Sequence, residues 1–236
     1  MEILTEKQTL SPAIEWDLGT AYELFVSLHV LIEPDYFGIR PAYAAGVRAR
    51  IPPAERKLLE DLYPILGVPL KWLPSLPAPK DAISALWALK QVPPAERMML
   101  LYRVNEPYES DGSPDSENHK KFNENLCRIA ETGTWSREDA DFFQKMLSKK
   151  NKNLKRESVE YALDWWSRPA ELGEAYLQAF QSYYQAFCAE EGVQRVQPFA
   201  SALVAEAKRS LDEGSYEKAL AGIDAALAAG LGPIKV

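Results

Sequence analysis

The hexapeptide Ile51-Pro52-Pro53-Ala54-Glu55-Arg56 returns 41 residues later as Val92-Pro93-Pro94-Ala95-Glu96-Arg97. Apolar residues follow each copy, Leu58, Leu59 and Leu62 after the first and Met98, Met99, Leu100 and Leu101 after the second. The physical content is a helix start used twice. The second proline of each pair has its φ already near the helical value, and its missing N–H belongs to a turn where that group would go unpaired. The glutamate two residues on sits where the helix dipole favours negative charge. A chain built this way folds as stacked helical units, and the motif itself carries no catalytic group.

The rest of the chain reads the same way. Leu18, Tyr22, Phe25, Leu28 and Ile32 share a helical stripe, with Asp17 as N-cap and Glu33-Pro34 as the stop. A helix over Pro41 to Ala49 precedes the first motif copy, whose helix runs to Tyr63. Prolines 64, 69, 74, 77 and 79, interleaved with Trp72, Leu73 and Leu76, predict a packed irregular loop. Asp81 to Lys90 is a short helix with Ile83, Leu86 and Trp87 as its apolar face, and the second copy follows.

Residues 105–118 hold two prolines, a glycine and five acids with little to bury, so they predict a polar loop between halves 1–104 and 119–236 of one globular domain. Beyond it, Phe122, Leu126 and Ile129 mark a helix closed by Gly133. Ser136 with Asp139 resembles a capping box, with Asp a weaker partner there than Glu or Gln, before Phe142, Phe143, Met146 and Leu147. A helix follows over Glu157 to Trp166, and another from Pro169 to Gly192. The last two cover 196–211 and 216–229. Their second member, with Gly214, Tyr216, Ala219, Leu220 and Pro233, is similar to half of a tetratricopeptide repeat. No segment alternates with period 2, so the fold class is all-α, a multi-helix bundle of stacked hairpins without significant sheet.

With 34 acids against 27 bases and a net charge of −7, the chain is a poor non-specific nucleic-acid binder. Six of those bases lie in 145–156, as Lys145, Lys149, Lys150, Lys152, Lys155 and Arg156, leaving 21 against the 34 acids elsewhere. This basic patch contains no stacking aromatic, which favours a solvated turn over phosphate recognition. No apolar run is long enough to span a membrane, and Cys127 and Cys188 read as free buried thiols in a reducing cytoplasm. Ser27 and His29 point to different sides of one helix, His119 lies in a polar segment, and the acids show no metal-ligand spacing. The expectation is a non-enzymatic protein with no cofactor.

Trp165, Trp166, Tyr176, Phe180, Tyr183, Tyr184 and Phe187 crowd 23 residues, more than one helical stripe accommodates. Phe180 is placed in the core. Trp165, Trp166, Tyr176, Tyr183 and Tyr184 are candidates for a homodimer interface or an apolar ligand cavity.

Three stretches together resemble a known family. They are Ile14-Glu15-Trp16 with Ala21 to His29, Arg50-Ile51-Pro52-Pro53, and Tyr176 through Phe187-Cys188-Ala189-Glu190-Glu191 to Gln197-Pro198. They resemble the helical N-terminal region of ArsR-type winged-helix bacterial transcriptional regulators. The resemblance implies a ligand-sensing or dimerising regulatory domain that reaches DNA only through a winged helix outside this chain. No DNA-contacting residue carries over to any position here. The alternative is a protein-interaction scaffold of tetratricopeptide-like hairpins.

Overall fold

A computed structural model describes residues 19–70, 72–103, 114–149, 151–187 and 197–212. Among them are ten α-helices and no strand, so the protein is all-α. The helices are α1 (Thr20–Ile32), α2 (Pro41–Arg48), α3 (Pro53–Leu66), α4 (Ala82–Gln91) and α5 (Pro94–Arg103). After residues 104–113 come α6 (Pro114–Thr132), α7 (Arg137–Leu147), α8 (Arg156–Trp166), α9 (Pro169–Tyr183) and α10 (Gln197–Asp212). The chain divides into two compact units, residues 19–200 and residues 1–18 with 201–236. In the second unit the described residues are the later turns of α10, where Glu206 and Arg209 pair at 2.7 Å.

Both proline pairs start helices as their chemistry requires, with Pro53 and Pro94 as the first helical residues. Helix α3 does not stop at Tyr63 but runs through Pro64 to Leu66. Ile65 and Leu66 are buried there, and Gly67 N–H returns to Tyr63 O at 2.8 Å. Burying these two side chains outweighs the hydrogen bond that Pro64 cannot donate. The acidic segment is also shorter than expected. Pro114 opens α6, so 114–118 are helical rather than loop.

Other boundaries follow their signals. Gly133 takes φ 68° just past α6, the left-handed conformation that a helix end accepts from glycine. Ser136 and Asp139 form the full capping box of α7. Trp72 and Leu73 are buried within the proline-rich loop, which contains one short 3₁₀ turn at Leu73–Ser75. Helix α1 starts at Thr20 with Gly19 rather than Asp17 at its N-cap position. Trp16, Asp17, Leu18, Cys188, Gly192 and the helix expected over 216–229 lie outside the described residues.

Helix α9 is the axis of the unit spanning residues 19–200. It packs on α3, α4, α5 and α8 through Leu172, Tyr176, Leu177 and Phe180, followed by one π-helical turn over 184–187. Its closest neighbour is α5. A Cβ on Gly173 would stand 2.0 Å from Pro94 O, so only glycine lets the two backbones approach this far.

Candidate functional site

The aromatic segment is core rather than surface. Trp166 is 1% exposed, Tyr176 4% and Tyr183 0%. Trp166 Nε1 donates to Leu126 O at 3.1 Å, and the Tyr183 and Ser27 hydroxyls bond at 2.6 Å. Trp165 and Tyr184 are half-buried against the same core. Seven aromatics fit because α8 and α9 are wrapped by other helices on several sides, not along one stripe. Trp166, Tyr176 and Tyr183, expected as candidates for an interface or ligand cavity, are therefore corrected to core residues. Burial also pushes the Tyr176 phenol far above its ordinary range. The cavity lined by Tyr176, Phe25, His29, Tyr63 and Phe180 has about 10 Å³, room for no more than a single water.

Lysines 149, 152 and 155 are exposed around the α7–α8 connection, and Lys150 lies outside the described residues. Arg156 is drawn out of that patch. It pairs with Glu160 at 2.8 Å and with Asp141, and its Nη2 donates to Arg137 O at 3.3 Å. The patch thus carries less free positive charge than the sequence count suggests. Cys127 is half-buried rather than buried.

His29 and Ser27 are engaged separately. The His29 ring stacks on Tyr63 at 5.0 Å and shares a hydrogen bond with its hydroxyl, with Glu33 3.9 Å away. Burial, then the Glu33 charge, push the Tyr63 phenol well up. Among the described residues no three His, Cys, Asp or Glu side chains converge as metal ligands, and no helix is long and apolar enough to cross a membrane.

The surface that stands out is on α4 and α5. Asp81 caps α4, its carboxylate accepting from Ser84 N–H at 2.8 Å. Buried against neighbouring helices are Ala82, Ala85, Leu86 and Leu89, whereas Ile83 is 62% exposed and Trp87 64%. The face expected for this helix is thus rotated. Its small alanines form the contact because they let α1 approach closely, and the bulkier Ile83 and Trp87 project outward one turn apart. Among the described tryptophans, Trp87 is the exposed one. Beside it lies an open groove of about 810 Å³, lined by Gln91, Val92, Pro93, Ala95, Glu96, Met99 and Leu100. The groove is made of the second motif copy itself.

Arg97 holds this connection from below. Its side chain is 4% exposed. Nε donates to Leu89 O at 3.0 Å and Val92 O at 2.9 Å, and Nη2 donates to Lys90 O at 3.0 Å. Nη1 reaches Gly173 O at 3.2 Å and Glu174 Oε1 at 3.0 Å. One guanidinium therefore satisfies the end carbonyls of α4 and ties them to α9, using the fork that lysine lacks. Its buried charge was not legible from the motif alone.

Comparison with family models, curated proteins and solved structures finds no match for this chain.

Proposed function

We propose that this chain is a non-enzymatic regulatory domain of a bacterial transcriptional regulator, acting by self-association and reaching DNA through a winged helix outside the chain. The resemblance of its helical landmarks to ArsR-type regulators suggests the setting. The observation that carries association over ligand sensing is Trp87, 64% exposed beside an open apolar groove. Exposed tryptophans in such settings are favoured anchors of protein interfaces. The cavity beside Tyr176 and Phe180, by contrast, has only about 10 Å³, too little for a small apolar ligand.

The test is a fusion of the whole chain to a monomeric winged-helix domain with a known half-site. A dimerising chain raises affinity for paired half-sites by roughly a hundredfold or more over a single half-site, because the second contact becomes intramolecular. Equal affinity for one and two half-sites contradicts the reading.

A further inference from the structure

We infer that the α4–α5 surface is the self-association interface, and that two copies meet there about a two-fold axis with Trp87 of each entering the groove of the other. The inference rests on the association reading above and names its surface and geometry. An isologous contact requires one patch to complement itself, so that residue i meets j while j meets i. This patch has both halves of such a match. Ile83 and Trp87 project from α4, and the recess lined by Val92, Pro93, Met99 and Leu100 adjoins them.

Charge repeats the pattern. Lys90 continues the Ile83–Trp87 stripe and is exposed, while Glu96 is exposed at the groove wall. In a two-fold arrangement each Lys90 faces the other copy's Glu96, giving two opposite-charge contacts and no like-charge one. Buried Arg97 fixes the Leu89, Lys90 and Val92 carbonyls, so the groove exists before binding and little ordering entropy is lost on association. The patch comprises some ten residues, fewer than the roughly 20–30 per side of a standard interface, so the dimer is expected to be reversible with a dissociation constant on the order of 10 µM.

Sedimentation equilibrium of the full chain from about 1 to 500 µM, with Trp87→Ala, Lys90→Glu, Glu96→Lys and the Lys90→Glu/Glu96→Lys double variant, tests this. Circular dichroism of each variant verifies that it is folded. Trp87→Ala is expected to weaken association by at least about tenfold. Each charge reversal should weaken it by about threefold or more, and the double reversal should restore it, because opposite charges again face across the axis. A dimer indifferent to Trp87→Ala and to the reversals overturns this surface while leaving self-association standing. A wild-type chain that stays monomeric throughout overturns both.

Discussion

The two copies of the Pro-Pro-Ala-Glu-Arg motif begin helices in the same way and end in different environments. In both, the arginine looks back eight residues to the end of the preceding helix. Arg97 donates to Leu89 O at 3.0 Å, and Arg56 donates to Arg48 O at 3.5 Å, the limit of a useful bond. Arg97 then gains three further carbonyls and Glu174 because α9 covers it, whereas Arg56 stays half-buried. The residue before the prolines differs as well: Ile51 is buried and Val92 lines the open groove. The first copy thus buries its leading isoleucine and the second its arginine. The second is clamped beneath and bare above. The lesson is that a repeated local code sets where a helix starts, and tertiary cover decides what the same side chains do next.

This contrast is open to attack in order of size. Arg97→Ala should cost about 3–5 kcal/mol in chemical denaturation, since it leaves several buried carbonyls without a donor. Arg56→Ala should cost under about 1 kcal/mol. Similar losses at both positions would break the comparison. Gly173→Ala should cost about 2–3 kcal/mol by driving α9 off Pro94, read as a lower denaturation midpoint.

Smaller effects lie at the caps. Asp81→Ala should lose about 1 kcal/mol by leaving Ser84 N–H without its acceptor at the start of α4. Away from both copies, burial pushes the Asp139 carboxyl up. The Ser136 backbone N–H, the Arg128 guanidinium and the Ser136 hydroxyl outweigh it and hold the carboxyl below its ordinary range. A carboxyl lowered in the folded state stabilises above its unfolded value, near 3.9, and that contribution is lost as pH falls through the folded value. Denaturation midpoints below about pH 4 should therefore fall less steeply for Asp139→Asn than for the wild type. The smallest stability effect is expected at the most important surface residue: Trp87→Ala should stay within about 0.5 kcal/mol in dilute monomer.

Several helix ends were legible because they depend on local chemistry, although the start of α6 at Pro114 was not. Proline at the first turn, Ser136 with Asp139, and Gly133 each act within four residues, so no tertiary knowledge was needed. Faces were less legible. On α4, hydrophobicity pointed to Ile83, Leu86 and Trp87 as the buried side; Leu86 is buried, but Ile83 and Trp87 are not, and Ala82, Ala85 and Leu89 complete the contact. The signal was present in the alanine spacing but competes with the larger apolar residues. On α8 and α9, aromatic density suggested a second surface. Burying Trp166, Tyr176 and Tyr183 together depends on neighbouring helices contributed by distant parts of the chain, which no local pattern encodes. Arg97 is the same case: its sequence context matches Arg56, and only α9 makes it a buried clamp.

Hydroxyl-radical footprinting of the wild-type chain across its association range tests the central claim most directly, because it reads side chains one by one. Oxidation of Trp87 and Met99 should fall together as concentration rises, while exposed Tyr36 and Tyr43 on the α1–α2 region remain equally reactive. Protection at Tyr36 and Tyr43 with Trp87 unchanged, in a sample that sediments as a dimer, would contradict it.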